Sequence, residues 1–302
     1  MIRFLSKVAA QRLLGVLPGG ETAYIWAQYN LTRSFALTGQ RLANHEIRSR
    51  WILDILRNAA PDTEIAAFSP HLDIGAGWLP MIPLVLRQRG LRGQWLVDLR
   101  KQIRPKPAIA AARCLDARRG SLPPLDPPDQ ATWPAFAQWF DALDIHDIAP
   151  AVPPYDLPGG GFGLVTCWGV LQYPSTEAVQ QIHAEAVRLL RPGGLYIANL
   201  RLDDQYAIAD PALPRFHFLR FSHRNWNRWF DNAFTPMNRL RPSDHARLLE
   251  GLPFERLLWQ VEGGGPAEQA ELARCPPHRD FAAYAPEDLS ATRLTFVLRR
   301  TG

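Results

Sequence analysis

The chain reads His71-Leu72-Asp73-Ile74-Gly75-Ala76-Gly77-Trp78-Leu79-Pro80-Met81-Ile82-Pro83-Leu84-Val85-Leu86. The apolar piece from Leu72 to Ile74 predicts a strand, Gly75 and Gly77 a tight turn, and the apolar run from about Pro80 a helix. Glycines at alternate positions after a strand let the backbone take positive φ and approach a ligand that any Cβ would hold off. A ligand is then expected at the carboxyl end of the strand, over the helix N-terminus, with Asp73 as a short acidic anchor. No Gly-Lys-Ser/Thr follows, so the turn is not built to grip a triphosphate.

Working outward, Leu91-Arg92-Gly93-Gln94-Trp95-Leu96-Val97-Asp98 predicts a second strand over Gln94 to Val97 that finishes on Asp98. An acid at that point of a doubly wound sheet, roughly 20 residues beyond the glycine turn, can accept both hydroxyls of an adenosine ribose. Farther on, Phe162 to Cys167 predicts a fourth strand, Ser175 or Thr176 caps a helix, and Arg191-Pro192-Gly193-Gly194 stops it before a fifth strand, Leu195 to Leu200. Strands alternating with helices in this way imply a parallel sheet covered on both faces.

The proline-rich stretch from 116 to 160 predicts loops around one short element, Ala142 to Ile148, as the third strand. Two acids there, Asp116 and Asp147, are candidates for the acid at the end of that strand. Asp147 is preferred because it closes the run Leu143, Ile145, His146. Phe254 to Val261 and Thr292 to Arg300 predict a late antiparallel pair, and Ser243 is expected to cap the helix that precedes it.

Composition narrows the function classes. The 302 residues are 47% hydrophobic and 21% charged, enough for a large core. No apolar run approaches the roughly 18 to 20 residues that cross a bilayer, and Lys7, Gln11 and Arg12 interrupt the first segment, which reads as an amphipathic helix with Phe4, Val8, Leu13, Leu14 and Val16 as its apolar patch. The net charge is +5, yet its arginines are scattered among acids, which speaks against nucleic acid. Cys114, Cys167 and Cys275 lie far apart with no histidine in ligand spacing, so no metal or disulfide framework is expected and a cytoplasmic location is.

Taken as a set, these motifs resemble class I methyltransferases that use S-adenosylmethionine, of the ubiquinone-methylase-like type. Family phrases of the form F-D-L-V, V-L-E-H and R-x-L-K-P-G-G have counterparts in FGLV (162–165), VLQY (170–173) and RLLRPGG (188–194), in the same order and near-identical spacing. The likeness covers roughly residues 42 to 200, and an Asn238-Arg239-Leu240-Arg241-x-Ser243-Asp244 run matches a bacterial subgroup. It implies a Rossmann-like α/β fold with a seven-stranded, mainly parallel sheet, a helical cap over 1–60, and a SAM-binding domain over 61–302 with a substrate-capping insertion at about 201–241.

The implied function is methyl transfer to a small molecule, with S-adenosylmethionine as cofactor and neither nucleic acid nor membrane as partner. Asp73, Gly75 and Gly77 meet the methionine end, Asp98 the ribose, and Asp147 or Asp116 the adenine. Trp168, Gln172 and Tyr173 stand at the reacting centre, and Tyr29, Asn30, Asn225, Asn238 and Arg239 are expected to bind substrate. The chain departs from the family where Gly163 replaces an aspartate, where Gln172-Tyr173 replaces Glu-His, and where Asp204-Gln205 replaces Asp-His. Loss of both histidines leaves two other readings: an enzyme that opens the cofactor at its aminobutyrate chain and releases methylthioadenosine, or a binding subunit without catalysis.

Overall fold

A computed structural model describes residues 2–30, 37–232 and 234–302. Its strands are β1 (His71–Ile74), β2 (Gln94–Val97), β3 (Ile145–Asp147), β4 (Phe162–Trp168), β5 (Leu190–Arg201), β6 (Phe254–Gly263) and β7 (Ala291–Arg300). They form one sheet in the order β3-β2-β1-β4-β5-β7-β6. All pairs from β3 to β5 are parallel, and β7 is antiparallel to both β5 and β6. The order reverses between β1 and β4, so their carboxyl ends open a crevice.

The helices are α1 (Ile2–Val16), α2 (Gly20–Asn30), α3 (Gly39–Ala59), α4 (Met81–Gln88), α5 (Pro105–Asp116), α6 (Trp133–Ala142) and α7 (Thr176–Leu189). They continue as α8 (Gln205–Ala209), α9 (His223–Trp229), α10 (Pro242–Leu249), α11 (Pro266–Ala273) and α12 (Pro286–Leu289). Because parallel strands are buried on both sides, their residues sort into two cores. Leu96, Leu164 and Ile197 pack with α3, α4, α5 and α6, while Leu72, Val165 and Ala198 pack with α7 and α10. A third core of Val8, Tyr206, Phe216, Phe218, Trp226 and Phe281 lies under the segment after β5.

Several expectations need correction. In α1 only Val8 of the expected patch is buried, whereas Leu13 and Val16 are exposed; the side chain of Phe4 lies outside the described residues. Gln11, a polar interruption by sequence, is instead buried and donates to Tyr24 and Thr235. Helix α10 starts at Pro242, not on a Ser243 cap; the Arg241 backbone N–H donates to Asp244, and Ser243 donates its hydroxyl to Asp288. Proline suits the first helical position because its missing N–H has no helical partner there anyway.

Strand β5 begins five residues earlier than expected. Phe162 pairs with Leu190 but Leu164 pairs with Leu195, so Arg191 to Gly194 bulge out of the ladder. The glycine at 163 has a packing cause: a Cβ there would lie 2.6 Å from the Phe68 carbonyl oxygen. No helix among the described residues is long and apolar enough to cross a membrane.

Candidate active site

The crevice at the strand reversal is a cleft of ≈ 1700 Å³. Its floor is the glycine turn. Gly75 has φ 76° and Gly77 φ 66°, and a Cβ on Gly75 would stand 2.1 Å from the Val170 side chain. Gly75 N–H and Ala76 N–H both donate to the Val97 carbonyl, and Gly77 N–H donates to Asp98 Oδ2 at 3.0 Å. The turn is thereby fastened to the end of β2.

Helix α4 starts only at Met81, because Trp78-Leu79-Pro80 intervene and Leu79 is spent in the core. The start of α4 agrees with the expected Pro80 to within one residue, and in the turn before it the Gly75, Ala76 and Gly77 amides are already bonded, with two carboxylates beside them.

Those carboxylates belong to Asp73 and Asp98, and both line the cleft. Asp73 is 3% exposed, and burial pushes its carboxyl up to about 6, the Asp98 charge adding to the rise and the Thr166 hydroxyl opposing it. Asp98 is half-buried, and its Oδ1 accepts from Arg100 N–H and from Gln102 Nε2 at 3.2 and 3.1 Å.

Of the two adenine candidates, Asp116 is not brought to the cleft. It ends α5, and its carboxylate accepts from Gln88 Nε2, Leu125 N–H and Asp126 N–H, so it holds a loop. Asp147 closes β3 beside β2. Its Oδ1 accepts from Ala149 N–H at 3.2 Å, while Oδ2 is buried without a protein partner. Burial raises the Asp147 carboxyl above its ordinary range. Asp147 itself is not part of the cleft wall, which nearby is formed by Leu99 to Gln102 and Ala151 to Pro153.

Of the predicted reacting-centre residues, Trp168 and Tyr173 line the cleft. Trp168 meets Trp51 of α3 edge to face at 5.4 Å. Burial lifts the Tyr173 phenol above its usual value, so it stays protonated near neutrality and can donate a hydrogen bond but not act as a base. Gln172 does not reach the cleft; it is buried and donates to the Gly169 carbonyl, shaping the loop after β4, and its Oε1 has no partner.

The expected substrate contacts mostly resolve into fasteners. Asn238 lines the cleft, but its amide donates to the Leu171 and Pro174 carbonyls and its Oδ1 accepts from Leu240 N–H. Arg239 donates to the Phe218 and Phe221 carbonyls and lies over the Trp226 and Phe281 rings. Burial lowers the Arg239 guanidinium to about 10, which leaves it charged. Asn225 sits exposed on α9 and does not line the cleft, although His223 and Asn227 of the same helix do. Tyr29 and Asn30 belong to α2, but their side chains lie outside the described residues.

The sequence reading missed His45 and Ser49, which line the cleft from α3. Their spacing of four places both on one helix face, the signal that could have found them. It also missed Lys7, whose ammonium lies 5.4 Å from the Tyr206 ring centre and is pulled below its ordinary pKa by burial, and Asp231, whose carboxyl burial raises. No group of three or more His, Cys, Asp or Glu among the described residues is placed to hold a metal ion.

A parallel run β3-β2-β1-β4-β5 closed by an antiparallel β7 between β5 and β6 decides the architecture. The chain has a Rossmann-like α/β fold, with the seven-stranded, mainly parallel sheet expected from the sequence.

No family model matches the chain, and no curated protein matches it. Similar solved structures include one assigned as a sarcosine dimethylglycine methyltransferase from Galdieria sulphuraria, 12% identical over 84% of this chain and 85% of that one, with a TM-score of 0.46. A geranyl diphosphate C-methyltransferase from Streptomyces coelicolor, solved with Mg2+, geranyl diphosphate and S-adenosyl-L-homocysteine, is 12% identical over 84% and 78%, with a TM-score of 0.42. The [4+2]-cyclase SpnF is 14% identical over 76% and 75%, also at 0.42. These likenesses are distant, and the fold rests on the strand order.

Proposed function

We propose that this protein transfers the methyl group of S-adenosylmethionine to a small-molecule acceptor. The observation that carries the reading is the glycine turn at the strand reversal, with the carboxylates of Asp73 and Asp98 converging on the cleft from either side of it. Two features fit the cofactor: a strand-end acid on β2 for a ribose, and a glycine turn fastened to it whose Gly75 leaves no room for a Cβ beside Val170; Asp147 lies outside the cleft wall.

Bound there, the cofactor supplies an electrophilic methyl group on a sulfonium. Asp73 faces its methionine end, and Asp98 accepts from the ribose hydroxyls while keeping the glycine turn in place. Trp168 and Tyr173 wall the space between cofactor and acceptor. At ≈ 1700 Å³ the cleft exceeds the roughly 300–1,000 Å³ of a site for one small ligand, which leaves room for an acceptor beside the cofactor.

Because the Tyr173 phenol holds its proton and the expected histidines are absent, the residues at the centre act by alignment and exclusion of water more than by proton removal. An acceptor that is already nucleophilic suits such a site.

The test is incubation of the purified protein with S-adenosylmethionine and candidate amines, thiols and enolisable carbonyl compounds, with mass spectrometry of the products. Formation of S-adenosylhomocysteine together with a methylated acceptor is the expected result. Release of methylthioadenosine from S-adenosylmethionine alone overturns methyl transfer in favour of opening at the aminobutyrate chain. A protein that binds neither the cofactor nor S-adenosylhomocysteine overturns both enzymatic readings.

A further inference from the structure

Four polar side chains stand side by side on the face of the sheet that packs under α4: Gln94 on β2, His71 and Asp73 on β1, and Thr166 on β4. Gln94, His71 and Thr166 are entirely buried. Their contacts run in single file. Gln94 Nε2 donates to the Pro83 carbonyl at 2.8 Å, and Gln94 Oε1 faces His71 Nδ1 at 3.0 Å. His71 Nε2 faces Thr166 Oγ1 at 2.8 Å, and Thr166 Oγ1 meets Asp73 Oδ1 at 2.6 Å.

Counting protons along this file restricts its states. The Pro83 carbonyl can only accept, so Gln94 turns its amide NH2 toward it and its oxygen toward His71, and Nδ1 must carry a proton. The two remaining contacts share the single hydroxyl proton of Thr166. If Thr166 donates to Asp73, then Nε2 must donate as well and His71 is an imidazolium. If Thr166 donates to Nε2, then Asp73 must be the protonated acid. With every contact bonded, the chain holds one proton more than a neutral imidazole and a carboxylate together.

Burial decides where that proton sits. It pushes His71 down to about 4 and Asp73 up to about 6, so between these values the acid carries the proton and both groups are neutral. Asp98, from the end of β2, raises Asp73 further, and the buried Cys167 thiol of β4 lies close by. His71 is faced by Gln94 from β2 and Thr166 from β4, and no charged group contributes to its shift.

We propose that His71, acting through Thr166, is a positioning residue that holds the proton on Asp73 and thereby sets the pH below which the cleft stops binding the cationic end of its cofactor. This rests on the reading of Asp73 as the anchor for the methionine end. When Asp73 ionises, one hydroxyl proton is left for two acceptors. Thr166 turns to the carboxylate, and Nε2 of His71 loses its partner. The imidazole therefore competes with Asp73 for the same donor, and a side chain that itself donates at that point ends the competition.

The test is calorimetric titration with S-adenosylhomocysteine, which keeps the α-ammonium, from acid to weakly alkaline pH, on the wild-type protein and on His71→Gln and Thr166→Val. In the wild type, affinity is expected to fall about tenfold per pH unit below the Asp73 midpoint, with one proton released on binding. His71→Gln, whose amide can donate to Thr166, frees the hydroxyl for Asp73 and moves this acid limb to lower pH by about one unit. Thr166→Val removes the hydroxyl and moves the limb to higher pH by about as much.

Opposite shifts with similar affinity at the alkaline plateau are the expected outcome. Shifts in the same direction, or none, overturn the proposal, since mere structural support gives no such pair of signs. If either variant fails to fold, nitrogen-resolved histidine NMR of the wild type decides: Nε2 of His71 must lose its hydrogen bond at the midpoint of Asp73, and a different midpoint overturns the coupling. Coupled titration in a protein that binds S-adenosylhomocysteine at no pH overturns the functional reading instead and leaves the proton chain standing.

Discussion

The segment from Asn238 to Asp244 and the turn from His71 to Gly77 are both dense in polar and small residues, and both look functional when read as motifs. In the first, the polar side chains that border the cleft are already bonded within the protein. Asn238 staples the loop after β4, and Arg239 is held between two backbone carbonyls and two aromatic rings. Arg241, fully buried, donates to the carbonyls of Leu202, Asp288 and Ala291. In the second, two carboxylates line an open cleft, and Asp98 has only backbone and amide donors that a ligand hydroxyl can join. An intact motif identifies a site only where hydrogen-bonding capacity is left over for something else.

The largest effect that separates the two regions is expected at Arg241. Replacing it with Met strands three buried carbonyls and costs about 3–5 kcal/mol, read as a fall in the urea midpoint. A loss below about 1 kcal/mol breaks the comparison, because the segment is then not a fastener.

Asp73→Asn is expected to work in the other direction. The wild-type carboxyl releases its proton at about 3.8 when unfolded but only at about 6 when folded, so its contribution to stability falls as pH rises through that window. His71, held down at about 4 against 6.5, contributes a rise between pH 4 and 6.5. In the wild type the two slopes oppose. In Asp73→Asn only the rise remains, so stability climbs by about 3 kcal/mol from pH 4 to 6.5 while binding of S-adenosylhomocysteine is lost. A stability profile as flat as that of the wild type contradicts this.

A smaller change is expected at Asp98. Asp98→Ala weakens binding of S-adenosylhomocysteine by about 10- to 100-fold, measured by calorimetry, because a charged acceptor for two hydroxyls is removed. Its unfolding midpoint stays near that of the wild type. The smallest effect belongs to Asn225, which is exposed on α9 and does not line the cleft. Asn225→Ala is expected to leave binding within about twofold and stability within about 0.5 kcal/mol, and a tenfold loss of affinity would return this residue to the site.

What was legible in the sequence follows from the same contrast. Strands β1, β2 and β4 are short segments with apolar residues bounded by glycine or proline, and Gln94 to Val97 was placed to the residue. Strand β3 has only three residues and follows helix α6, where the sequence predicted a loop because of a proline that in fact stands at the helix start, so the preference for Asp147 over Asp116 rested on a very short alternation. The start of α10 was misplaced because a serine beside a proline invites the wrong cap.

Asp73 and Asp98 were readable because their spacing from the glycine turn follows from backbone geometry. The bonding of Asn238 and Arg239 was not, because it depends on carbonyls contributed by residues distant in sequence. The polar row under α4 was visible only as alternation, in His71 and Asp73 between Leu72 and Ile74, with nothing to say that Thr166 and Gln94 would complete it.

The gap between the glycine turn and the start of α4 has a consequence for selectivity. Nucleotide sites on related doubly wound sheets place a phosphate against the first amides of a helix, where the peptide dipoles favour negative charge. Here that helix begins four residues beyond Gly77, and the Gly77 amide is occupied by Asp98. The floor of the cleft carries two acids and offers no comparable cradle for an anion. On the proposed reading, two acids on the floor favour a positively charged group there over an anionic one, so the polarity of the floor would help to sort adenosine derivatives.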